Sequence, residues 1–256
     1  MSALPAADTR AALTSAWDAF AKHARPAEAA DVAPGPVLAL VPHADDEVLG
    51  FGGLYRELML SGVPVDVVLV TDGTGSHPNA TGHDAKQRRD VREEEFRAAI
   101  EALGGEASRL RFWRKPDTRL PHLDTVEEKA CVEAVRRELE SGHYRTVLTP
   151  WRLDPHGDHR AITSWTLAAL RTLDTPPHLL EYCVWLGQQG SVADFPTDDL
   201  SRLVKVNVTA HVPVKRAALQ AHRSQLGHVF DDPTGFTIPD ALAATVERDF
   251  EYYLRA

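Results

Sequence analysis

Residues 42–47 read Pro-His-Ala-Asp-Asp-Glu, and residues 155–159 read Pro-His-Gly-Asp-His. The first motif offers the imidazole of His43 and the adjacent carboxylates of Asp45 and Asp46; the second offers the imidazoles of His156 and His159. Two imidazoles and one carboxylate hold a divalent metal and leave coordination positions for water or substrate. His43 and Asp46 stand three residues apart, a spacing that a strand-to-helix turn can fold onto one point. His159 lies three residues before Ile162, on the inward side of the helix that follows. His43, Asp46 and His159 are therefore the expected metal ligands. One carboxylate and one imidazole remain for proton transfer.

These motifs need elements that deliver them to one place. Each follows an apolar run that reads as a buried strand, 37–41 before the first and 146–150 before the second. From 37 the chain alternates strand and helix. Strands are expected at 37–41, 65–71, 109–114 and 146–150, with helices at 47–61, 85–103, 124–140 and 159–173. Repeated βα units imply a mainly parallel, Rossmann-like sheet with helices on both faces, and such sheets bind ligands beyond their strand ends. Further on, strands near 179–186 and 202–208, a helix near 213–225 and a terminal helix from about 239 complete the expectation. Residues 1–36 read as an N-terminal helical arm, helical at 9–22 with Leu13, Trp17 and Phe20 on one face, then a linker. Residues 37–256 read as one α/β domain. Gly50, Gly52 and Gly53 form no complete dinucleotide fingerprint and read as close helix–sheet packing.

Composition limits the partners. The 256 residues carry a formal charge of -9, with no long basic block, which argues against nucleic acid. No apolar segment approaches the roughly 20 residues of a membrane span. Cys131 and Cys183 lack CxxC spacing and read as core thiols of a reduced compartment, so a cytoplasmic location is expected. An oligomer is compatible with all of this.

The motifs also resemble a known family. Pro-His-Ala-Asp-Asp-Glu is similar to the His-Pro-Asp-Asp-Glu signature of LmbE-like/PIG-L zinc-dependent de-N-acetylases, and Pro-His-Gly-Asp-His to their His-Pro-Asp-His motif. Arg92-Glu93-Glu94-Glu95 with Leu103-Gly104, Pro116-Asp117, and Lys215 through His222-Arg223-Ser224-Gln225 agree with other family stretches. Ala44 and Gly157 stand where the family usually has proline. The resemblance implies the LmbE-like fold and zinc (Fe2+ as an alternative) on His43, Asp46 and His159. It implies Asp45 as general base, His156 as oxyanion stabiliser and proton donor to the leaving amine, and Asp158 as the aspartate paired with His156. It implies substrate contacts at Arg92 and Asp117. Arg92 could instead pair with Glu95, and Asp117 could be a turn residue.

The expected function is zinc-dependent hydrolysis of an N-acyl, foremost N-acetyl, amide on a small amino-sugar conjugate. Zinc and Asp45 activate water, and a charged His156, oriented by Asp158, serves the oxyanion and the amine. Two alternatives use the same residues: a non-haem Fe(II) oxygenase, and an inactive metal- or carbohydrate-binding module.

Overall fold

The computed structural model describes residues 7–196 and 200–255. The chain opens with α1 (Ala7–His23), β1 (Arg25–Pro26) and α2 (Ala29–Val32). Leu13 and Phe20 of α1 are buried against Trp151, Leu186, Phe195, Leu203 and Leu254. The expected linker is therefore partly ordered, since β1 and α2 fall within or beside it.

The βα series follows as β2 (Val37–Val41), α3 (Asp46–Leu60), β3 (Val65–Thr71), α4 (Ala85–Ala102), β4 (Leu110–Lys115), α5 (Thr125–Ser141), β5 (Thr146–Pro150) and α6 (Gly157–Leu170). Capping boxes at Asp84 and Asp124 start α4 and α5. Strand β2 is apolar at every position because both faces of the sheet are covered. Val37, Ala39 and Val41 face a core with Phe51, Leu54, Phe96 and Ile100; Leu38 and Leu40 face another with Cys131, Val135, Ile162 and Trp165.

Next come β6 (His178–Tyr182), α7 (Leu186–Gln189), β7 (Leu203–Asn207), α8 (Val212–Ala221), α9 (Asp240–Ala243) and β8 (Phe250–Arg255). The eight-stranded sheet has the order β1-β7-β8-β6-β5-β2-β3-β4. Strand β8 runs antiparallel to β6 and β7; the other pairings are parallel. This corrects the expected terminal helix, which ends after a short turn. Phe250–Arg255 fill the gap between β6 and β7, and tertiary pairing there overrides the local pattern.

Strand order reverses at β2. Strands β3 and β4 extend to one side of it, and β5 and β6 to the other. The carboxyl ends of β2 and β5 flank this switch point, the place where open α/β sheets bind ligands. Both motifs follow those two strands.

Close packing shapes α3. A Cβ on Gly50 would lie 2.4 Å from the Tyr182 ring, so only glycine lets the helix approach the sheet. The helix breaks at Phe51 (φ -151°, ψ 20°). The N–H groups of Gly53 and Leu54 then donate to the two carboxylate oxygens of Glu251 on β8, each at 2.8 Å. Lys215 of α8, 2.9 Å from Glu251, balances that buried charge.

Candidate active site and metal centre

The Asp46 carboxylate sits where the two motifs meet. Its Oδ2 accepts the His43 backbone N–H at 2.9 Å and lies 3.1 Å from His43 Nδ1 and 3.2 Å from His159 Nε2. Nitrogens of His43, His156 and His159 lie within 4.8 Å of one another. On its other edge, His43 Nε2 faces Asp158 Oδ2 at 3.1 Å and Asp117 Oδ1 at 3.2 Å. That arrangement holds the ring and leaves Nδ1 towards Asp46.

His159 is fully buried, and neither of its ring nitrogens makes a hydrogen bond. Its Nδ1 lies 3.3 Å from Asp154 Oδ1, so a carboxylate backs the imidazole while Nε2 faces Asp46. Buried imidazole nitrogens without hydrogen bonds, aimed at a buried carboxylate, suit a divalent cation. The donor set of two imidazoles and one carboxylate is that of open zinc or iron sites. The residues present fit such a metal.

The electrostatics agree. Burial alone would raise the Asp46 carboxyl, but His159 and His43 hold it far below its ordinary range. Burial opposes charge on His159, yet Asp46 and Asp154 raise it to about 9. His43 is likewise raised against burial by Asp117, Asp158 and Asp46. Asp45 behaves oppositely. Burial lifts its carboxyl to about 7, although Arg92 pulls it down. Adjacent carboxylates are thus driven apart, a pattern of acid–base sites.

Comparison with known proteins identifies the lineage. Residues 38–170, just over half of the chain, match the family described as PIG-L, GlcNAc-PI de-N-acetylase. The chain belongs to the PIG-L family. It is 35% identical over 127 residues to the diacetylchitobiose deacetylase of Thermococcus kodakarensis, an alignment covering 48% of this chain and 45% of that protein. The chain thus aligns with under half the length of that curated relative. Its fold is similar to N,N'-diacetylchitobiose deacetylase from Pyrococcus horikoshii, with a TM-score of 0.62, 20% identity and coverage of 86% and 83% of the two chains. It is equally like the 4-carboxy-2-hydroxymuconate hydratase of Pseudomonas putida, with a TM-score of 0.61, 16% identity and coverage of 86% and 95%. At such identities the likeness is one of fold.

Of the residues singled out in the sequence, the structure brings His43, Asp46, His156 and His159 together, with Asp117 and Asp158 beside His43. Two expectations are corrected. The Asp158 carboxylate does not hold His156; it accepts the N–H groups of Thr118 at 2.8 Å and Leu120 at 3.0 Å and faces His43. The contact with His156 is instead made by the Asp158 backbone N–H, donated to Nδ1 at 3.2 Å. Burial, then His43 and His159, push the His156 imidazole down to about 3, so the charged form expected for it is disfavoured. The alternative pairing of Arg92 with Glu95 is not made, and Glu95 accepts from Ser224 instead. Arg92 is 2% exposed; it donates to Ala44 O at 2.8 Å and Ser76 Oγ at 3.0 Å and lies 3.8 Å from Asp45 Oδ2.

Gly157, found where PIG-L proteins usually have proline, touches Pro121: a Cβ there would lie 2.7 Å from its Cγ. His77, in the loop after β3, is buried against Phe230. Asp154 was missed by sequence reasoning. Its signal was its place in the loop after β5, one residue before the second motif. The Glu47–His222 contact at 2.6 Å was missed as well, because 175 residues separate the pair.

Proposed function

We propose that this chain is a divalent-metal-dependent, foremost zinc-dependent, amidohydrolase that removes an acetyl group from an N-acetylated amino sugar or its conjugate. The observation that carries this is the meeting of both motifs at Asp46 Oδ2, between His43 Nδ1 and His159 Nε2, with the Asp45 carboxylate next along the chain. Family membership and the deacetylase relatives support the substrate class.

In this reading His43, Asp46 and His159 hold the metal. A cation bound there supplies a Lewis acid that polarises the amide carbonyl and acidifies water. Asp45 takes the proton of the attacking water. Among the described residues no hydrogen bond engages its carboxylate, and Arg92 alone is paired with it. His156 accepts a backbone N–H at Nδ1, so its neutral ring carries the proton on Nε2. That N–H serves the oxygen of the tetrahedral intermediate as a neutral donor. Collapse of the intermediate breaks the C–N bond, and protonated Asp45, 5% exposed, returns its proton to the departing nitrogen. Arg92 favours the ionised form of Asp45 against the burial that raises its carboxyl. Asp117 and Asp158 orient His43.

Residues 1–36 act as an accessory arm of the 37–256 domain. No helix among the described residues is long and apolar enough to cross a membrane, and both cysteines are free thiols, in keeping with a cytoplasmic setting. The test is incubation of zinc-loaded protein with diacetylchitobiose and other N-acetylglucosamine conjugates, with detection of free amine. Product formation that a chelator abolishes is expected. Oxygen consumption by iron-loaded protein without amine release would favour the oxygenase, and metal binding without either activity would leave a binding module.

A further inference from the structure

We propose that Glu47 and His222 form a positioning pair that sets the Asp45 carboxylate, an inference that rests on the role given to Asp45 above. The starting observation is conformational. Asp45 has φ 152° and ψ -26°, a backbone region that residues other than glycine rarely occupy. Such a conformation is strained and persists only where the surroundings hold it. The helix holds only the C-terminal side of Asp45, whose carbonyl accepts the N–H groups of Val48 and Leu49, each at 3.1 Å; the N-terminal side must be held elsewhere. Asp45 stands at the N-cap of α3, yet its side chain makes no capping bond, which leaves the carboxylate available.

The hold comes from the peptide group between Ala44 and Asp45, which is gripped at both ends. Its N–H donates to Glu47 Oε2 at 3.0 Å, and its carbonyl accepts from Arg92 Nη2 at 2.8 Å. With that plane fixed, Asp45 cannot relax its φ without breaking one bond or the other. Glu47 is itself held. Its second oxygen, Oε1, lies 2.6 Å from His222 Nε2, and both residues are 0% exposed.

His222 ends α8, and that end is tied down. Ser224, two residues on, bonds Glu95 of α4 through its N–H at 2.7 Å and its hydroxyl at 2.6 Å. Helix α4 also carries Arg92. The two grips on the peptide therefore belong to one packed unit, α4 with the end of α8. Buried ionisable pairs add little net stability and are costly to break. Positioning gives this pair a reason to exist. Neither residue touches the proposed metal ligands' side chains through a hydrogen bond or ion pair among the described residues, so both act through Asp45.

The test uses full-length Glu47→Ala, Glu47→Gln and His222→Ala variants. Hydrogen exchange is read at the Asp45 amide. His222→Ala and Glu47→Ala should speed exchange there by about tenfold or more, with α5 amides unchanged. In turnover, both should lower kcat by about 10–100-fold with KM nearly constant. Glu47→Gln keeps an oxygen acceptor for the Asp45 N–H and fills the same space, so it should retain most of kcat. In an Asp45→Asn background, His222→Ala should cause no further loss, because the group being positioned is already disabled. Unchanged exchange at Asp45, equal losses for Glu47→Gln and Glu47→Ala, or additive losses in the double variant would overturn the proposal. The exchange result decides the positioning even if no amide substrate is found, so its failure is separable from failure of the proposed reaction.

Discussion

Asp154→Asn isolates the residue that backs a proposed metal ligand. Asp154 is fully buried, and its Oδ1 accepts the His156 N–H at 2.9 Å while lying 3.3 Å from His159 Nδ1. Its Oδ2 accepts the Trp185 N–H at 3.0 Å. Asparagine preserves the shape, removes the charge and presents one oxygen where two were used. One backbone N–H then faces an NH2 group, a loss of about 1–3 kcal/mol. For a chain of this size that lowers Tm by roughly 2–12 °C. The second effect is on the metal. Loss of the carboxylate behind a ligating imidazole typically costs about 10–100-fold in affinity, which is about 1.4–2.7 kcal/mol. Zinc affinity is measured by competition with a chromogenic chelator below the lowered Tm. Thr166→Val, which removes a buried hydroxyl donating to Ile162 O on the same helix at 2.9 Å, controls for general loosening of α6. It should leave affinity unchanged. Asp154→Asn protein that binds zinc as tightly as the parent would refute the reasoning, and would mean that His159 needs no support or is not a ligand.

Asp45→Asn should keep its zinc and lose about 10²–10⁴-fold in turnover, the usual cost of removing a general base; near-native amine release would move that role elsewhere. Gly50→Ala should destabilise by about 1–3 kcal/mol, because its methyl group collides with the Tyr182 ring, and urea unfolding reads the shift. Away from the site, burial alone would raise Asp66, but the Tyr144 hydroxyl at 2.6 Å and Arg109 hold it below its ordinary value. A depressed carboxyl contributes stability that is complete above its unfolded pKa and is lost as pH falls through the folded one. Thermal unfolding should therefore show Asp66→Asn losing less stability than the parent between neutral and acid pH; parallel curves would discount the cluster.

The strands most legible in the sequence were those whose burial is least ambiguous. Residues 37–41 are a continuous apolar run, and 65–71 and 146–150 are mainly apolar, interrupted by Asp66 and by threonines; the structure has β2, β3 and β5 at those bounds. The helices were readable because apolar positions recur with one face against the sheet; Asp84 and Asp124 also cap α4 and α5. Strand β8 was not. Phe250, Tyr252 and Leu254 share one parity and both charged residues the other, yet Glu251 and Tyr253 are buried, because the strand fills the gap between β6 and β7. The site divided along the same line. Histidines and aspartates within one motif were legible because local turns juxtapose them. Partners chosen by tertiary packing were not: Asp158 turns to the 118–120 loop and His43 rather than His156, and Arg92 turns to the Ala44 carbonyl rather than Glu95.

The fold is similar to that of a deacetylase and to that of a hydratase, so the fold alone does not set the chemistry, and the residues placed on it must. What distinguishes this site is its charge. Asp45, Asp46, Asp117, Asp154 and Asp158 are each at most 6% exposed, around His43, His156 and His159, and Arg92 is the permanent cation among them. Two like charges 4 Å apart repel by about 4 kcal/mol at the effective dielectric of a protein. Such a set is stable only with positive charge in its midst. Protons on His43 and His159 meet part of that need; a divalent cation on the same nitrogens and on Asp46 meets it with a charge that can also act on a substrate. In the proposed reading, the carboxylates that take no part in the proton transfer, Asp117, Asp154 and Asp158, would hold His43 and His159 as ligands, while Arg92 would favour the charged form of Asp45.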